Sequence, residues 1–92
     1  MSIEINGIAH VIVTVQDLQK VKRFYSALTE AFGMECLVDT EQMFYAVGGR
    51  TGLGARQGDP QIKFDQYRAG LHHLCLRARD KESVNEVAVL VA

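Results

Sequence analysis

Apolar positions along the chain follow two rhythms. From Ile8 to Val15 the run Ile-Ala-His-Val-Ile-Val-Thr-Val is dense in β-branched residues, the signature of a buried strand. Leu18, Val21, Phe24, Tyr25, Leu28 and Phe32 then recur at helical spacing on one face. Asp17 stands where an N-cap accepts backbone N–H bonds, and Gly33 stands where a helix ends in a left-handed residue. Met34–Asp39 and Gln42–Val47 read as strands. In the second, Met43, Tyr45 and Val47 alternate with Phe44 and Ala46. Gly48-Gly49 is the expected hairpin turn, and Thr51–Gln57 is a third strand weakened by Gly52 and Gly54. Residues 58–70 form a loop turning at Gly58-Asp59-Pro60. A strand over Leu71–Ala78, a cap at Asp80 and a helix over 81–91 follow. The expected fold is therefore α+β: a βαβββ module, 1–57, then a connecting loop, 58–70, then the β-α start of a second module, 71–92.

The two β-α pieces are alike. His10-Val-Ile-Val-Thr-Val-Gln-Asp17 and His73-Leu-Cys-Leu-Arg-Ala-Arg-Asp80 each carry a His, apolar residues at the second and fourth positions, and an Asp seven residues after the His. The same offset of 63 residues (73 minus 10) brings Val21 onto Val84, Phe24 onto Val87, Tyr25 onto Ala88 and Leu28 onto Val91. The repeat is incomplete, because the second piece lacks partner strands of its own. It packs on the first unit or on another copy of the chain. An open sheet edge favours pairing, so a homodimer is expected.

Composition narrows the function. Ninety-two residues make one small domain. With 48% hydrophobic and 23% charged residues, the chain has enough apolar material to collapse. Ten basic against 11 acidic side chains argue against a nucleic-acid surface. No run approaches the roughly 18 apolar residues of a membrane span, and Met1–Asn6 lacks the pattern of a signal peptide. Cys36 and Cys75, with no CxxC, read as reduced thiols, small and buried, in a cytoplasmic protein.

Strand alternation sorts the candidate chemistry. Ala9, Val11, Val13 and Val15 are wholly apolar and belong under the helix, which turns His10 to the opposite face with Ile8, Ile12 and Thr14. In the second copy His73 takes the place of His10, with Cys75 and Arg77 beside it, while His72 falls on the helix side. Two imidazoles on one concave face suit a divalent metal such as Zn, Fe, Ni or Mn. They are fewer than the three protein ligands that a catalytic site takes. Alternation and spacing alone favour ordinary half-buried histidines in a sheet over a metal site. Arg77 can meet an anionic substrate or reach solvent at the strand end. Phe24 and Tyr25 read as core, and the facing of Tyr45 is left open.

His10 to Asp17, then Phe24-Tyr25 and Gly33, resembles the opening of the vicinal oxygen chelate superfamily: glyoxalase I, bleomycin-resistance and fosfomycin-resistance proteins, and extradiol dioxygenases. Gly70–Ala78 with Asp80 resembles the start of that family's second module. The resemblance implies paired βαβββ modules curled into a cup, a divalent metal held by His10 and His73, and glutamates from the last strand of each module. It implies a substrate whose neighbouring oxygens chelate that metal. The chain departs from the pattern twice. Thr51–Gln57 holds no carboxylate, Ala55 or a neighbour standing where one is expected and Gln57 offering only a neutral amide. The last three strands of the second module are missing, so the chain reads as truncated. Three functions follow as expectations: a metal-dependent glyoxalase- or dioxygenase-like enzyme on a small substrate, a small-molecule binding protein of the antibiotic-resistance type, or an incomplete, inactive member.

Overall fold

The structure, a computed structural model, describes residues 2–92. Strand β1 spans His10–Val15, helix α1 Leu18–Ala31, β2 Glu35–Asp39, β3 Met43–Gly48, β4 Thr51–Gln57 and helix α2 Lys81–Val91. The strands form one mixed sheet in the order β1-β4-β3-β2, with β1 parallel to β4 and the other neighbours antiparallel. A parallel neighbour needs a crossover. Here α1 begins that crossover and packs on one face of the sheet, mainly against β4.

Local chemistry explains the bounds of α1. The Asp17 carboxylate accepts the Lys20 N–H at 3.2 Å, as a cap does. The side-chain oxygen of Gln57, from β4, accepts the Leu18 N–H at 2.9 Å and ties the helix start to the sheet. At the other end Gly33 has φ +73°, and the N–H groups of Gly33 and Met34 reach back to Glu30 and Thr29 carbonyls at 2.9 Å. Thr29 is buried, and its hydroxyl donates to the Tyr25 carbonyl at 2.8 Å. Lys22 joins the helix to the end of β2 through Asp39 at 2.9 Å and the Thr40 carbonyl at 2.7 Å.

The core is small. Leu18, Phe44, Ala46 and Ala55 are buried, with Val13, Val15, Val21, Tyr25 and Met34 packed around them. The expected facing of β1 holds: Val11, Val13 and Val15 are half-buried under α1, while His10, Ile12 and Thr14 are exposed on the other side. Phe24 departs from the core reading. It is 49% exposed, because the sheet takes Leu18, Val21 and Tyr25 and leaves Phe24 on the flank. The hairpin turn sits one residue later than expected. Gly48 still pairs with Thr51, and Gly49 and Arg50 make a two-residue loop with φ +57° and +65°. Positive φ at both central positions matches the twist of the flanking strands.

The α+β class and the βαβββ module stand as read, and α2 follows where expected, capped by Asp80. The strand expected at Leu71–Ala78 is not formed. Those residues pair with no other strand among the described residues, and every residue from 61 to 80 is exposed. A strand needs a neighbour, and the edge of β1 is left open instead. His72 is consequently exposed rather than beneath a helix, and Cys36 and Cys75 are exposed rather than buried. The accessible surface is 8032 Å², against about 5300 Å² for a compact chain of this mass. The radius of gyration is 14.7 Å, against about 12 Å for 92 compact residues. The excess belongs to residues 58–92, since α2 makes no substantial contact with the sheet.

Candidate functional site on the open face of the sheet

With α1 covering one face, the chemistry lies on the other. The strand register arranges it in rows. His10 on β1 lies beside Gly52 on β4 and Val47 on β3; Ile12 beside Gly54 and Tyr45; Thr14 beside Arg56 and Met43. Partners in register share a face, and Ala55 and Phe44, between these rows, are buried on the α1 side. Successive rows are roughly 6.6 Å apart, so His10 and Arg56 stand at opposite ends of a face roughly 13 Å long.

Tyr45 is the largest side chain on this face. Its ring leans across β4 and meets the His10 imidazole edge to face, centroids 6.4 Å apart at 84°. Glycine makes this approach possible. A Cβ at Gly52 would collide with the Tyr45 hydroxyl and come within 2.5 Å of its Cζ, and a Cβ at Gly54 would lie 3.0 Å from Tyr45 Cδ1. The two glycines that weaken β4 as a strand are therefore the seat of an aromatic ring. That is one of the recognised meanings of glycine within a strand.

The third row opens into a cavity of about 380 Å³ at the ends of β1 and β4, bounded by Thr14, Gly58, Asp59, Ile62, Lys63 and Phe64. A second, larger hollow of about 850 Å³ lies elsewhere. It separates α1, at Phe24, Leu28, Ala31 and Phe32, from residues 74–78 and the apolar side of α2.

The sequence-derived site residues part company across these features. His10 is on the open face, as alternation required. His73 is exposed in the unpaired segment, its Nδ1 2.6 Å from Nδ1 of His72. Arg77 and Cys75 line the hollow between α1 and α2. Gln57, weighed as a substitute ligand, is occupied otherwise: its amide N–H groups donate to the carbonyls of Gln16 at 2.7 Å and Gly58 at 2.8 Å, while its oxygen caps α1.

The donor set of one chain does not fit a catalytic metal. Imidazole is a suitable ligand, yet no group of three or more His, Cys, Asp or Glu side chains gathers among the described residues. On the His10 face β4 presents Gly52, Gly54 and Arg56, a cation where a dication needs an anion.

The facing of Tyr45 and the presence of Arg56 on this face are additions to the sequence expectations. The signal for both was present: Gly52, Gly54 and Arg56 share parity along β4, while Ala55 has the opposite parity and suits the core.

Residues 7–88 match the family model described as the Glyoxalase/Bleomycin resistance protein/Dioxygenase superfamily. Among solved structures, the chain is similar to a glyoxalase candidate from Bacillus halodurans, with 26% identity and a TM-score of 0.76, over 89% of this chain and 64% of that one. It is also similar to a lactoylglutathione lyase from Agrobacterium tumefaciens, with 21% identity and a TM-score of 0.56, over 91% of this chain and 66% of that one. The second likeness is one of fold alone. The chain thus spans just under two thirds of each of these proteins. No curated protein sequence matches it.

Proposed function

The chain belongs to the glyoxalase/bleomycin resistance protein/dioxygenase superfamily, and on that premise we propose that it is a single glyoxalase-like domain binding a small molecule on the open face of its sheet. The observation that carries this reading is the seat of Tyr45. An aromatic ring laid over two glycines beside His10 forms a firm wall on a face that no helix among the described residues covers. Aromatic walls with a few convergent polar groups are what small-ligand sites share.

A second reading keeps the metal-dependent enzyme, with His10 and His73 as ligands of a divalent ion and Arg77 as a substrate contact. Family membership and the facing of His10 favour it. It requires His73 to move onto the open face and a carboxylate to arrive from outside the set described above. A second copy of the chain supplies a route. β1 is an unpaired edge, residues 71–78 are an unpaired segment, and the accessible surface exceeds that of a compact chain by about half. The same features support a homodimer under either reading.

Metal analysis of the purified protein and of His10→Ala and His73→Ala separates the readings. Metal-free protein that retains ligand binding is the expected result. Stoichiometric metal in the parent, lost from both variants, selects the enzyme reading instead.

A further inference from the structure

The open face has two unlike ends, and the end away from His10 is cationic. Arg56 lies there in register with Thr14, and Thr14 also borders the cavity that Lys63 lines. Both Arg56 and Lys63 are exposed. The ion pair among the described residues is Lys22 with Asp39, on the α1 face of the sheet, so neither Arg56 nor Lys63 is held in a salt bridge. The cavity does hold one acid, Asp59. Its Oδ1 accepts the Gln61 N–H at 2.8 Å, and its charge stands against two cations, Arg56 and Lys63, which leaves this end with a net positive charge. The middle of the face is apolar, formed by Ile12, 37% exposed, and the flank of the Tyr45 ring.

From this arrangement we propose that the Thr14–Arg56 end of the open face is an anion-binding subsite, and that the ligand class is a small organic acid with a flat apolar body. The inference rests on the open-face reading above and adds polarity to it. The body lies over Ile12 and Gly54 against Tyr45. The carboxylate, or an equivalent phosphonate, reaches the Arg56 guanidinium, with the Thr14 hydroxyl and Lys63 beside it. Arg presents a planar fork that matches two oxygens of one anion, which a lysine alone does not. The roughly 13 Å face accommodates a fused bicyclic acid without crowding His10.

The test uses two probes of one shape, 2-naphthoate and its uncharged amide, titrated into the 92-residue protein while backbone amide NMR shifts are followed. Naphthoate is expected to move the amides of Ile12–Val15 and Gly54–Gln57 and to bind at least tenfold more tightly than the amide. Arg56→Gln is expected to erase that preference. A tenfold loss corresponds to about 1.4 kcal/mol, the scale of one charge-assisted hydrogen bond. Raising the salt is expected to weaken naphthoate alone. Equal binding of both probes on this face, indifferent to Arg56→Gln, overturns the anion subsite and leaves the open-face reading standing. Silence of the naphthoate titration up to about 10 mM, or shifts confined to Phe24, Leu28 and α2, overturns the subsite. If the amide is silent there too, the open-face reading falls with it.

Discussion

The Tyr45 ring reaches the His10 imidazole across the bare backbone of Gly52, centroids 6.4 Å apart at 84°. Two strands separate in sequence thus meet over a third, and they do so only because β4 offers no Cβ there. Edge-to-face aromatic pairs contribute about 0.5–1.5 kcal/mol beyond area burial. The pair sets the His10 imidazole edge to face with the Tyr45 ring on the open side.

Gly52→Ala is expected to displace Tyr45, destabilising the fold by about 1–3 kcal/mol, as overpacking does. Tyr45→Leu in that background should recover most of the loss, since the obstruction is then gone. Chemical denaturation of the two single variants and the double variant measures the coupling. Strict additivity would show that the two residues do not share this space.

Gln57→Ala is expected to destabilise the protein by about 1–2 kcal/mol, because the Leu18 N–H at the start of α1 and the carbonyls of Gln16 and Gly58 all lose a partner. Gln57→Glu keeps the acceptor at the helix N-terminus and should recover part of the loss. Urea midpoints of the three proteins check the order Gln, Glu, Ala.

Helix α2 carries a pH dependence. The Ser83 side chain, and then its N–H at 2.8 Å, hold the Asp80 carboxyl below its usual range. A group whose folded value is depressed binds fewer protons in the folded state. Its contribution is present above the ordinary carboxylate value and is lost as pH falls through the folded one. The α2 amide signals are therefore expected to show fraying as pH drops from about 5 through the carboxylate range. In Asp80→Ala the helix should fray at every pH. An α2 signal that is flat with pH in the parent contradicts the assignment.

The open β1 edge and the unpaired 71–78 segment predict self-association. Sedimentation equilibrium is expected to give twice the mass of one chain. A charge placed in the exposed apolar part of that segment, Leu76→Lys, should shift the protein toward monomer. A monomer at all concentrations would show that a single copy tolerates the exposed surface.

The parts of this fold legible in the sequence are those governed by local chemistry. Asp17, Gly33 and Asp80 mark helix ends because capping and left-handed φ are properties of single residues. The facing of His10 follows from four apolar neighbours of the opposite parity. What escaped depends on pairing. Leu71–Ala78 has the composition of a strand, but composition does not supply a neighbour, and residues 71–78 stay outside the ladder. Phe24 was assigned to the core because helical spacing admits a stripe wider than the sheet can cover. Gln57 was weighed as a ligand when its position beside the start of α1, visible only in three dimensions, makes it a cap. Arg56 escapes because the expected residue on this strand is an acid, whereas the side chain that shares the face is a base.

The open-face site is tested by a crystal of the 92-residue protein soaked with 2-naphthoate. Density for the bicyclic ring is expected against Tyr45 and Ile12 on the His10 face of the sheet. Density lodged between α1 and α2 with the His10 face bare would contradict it.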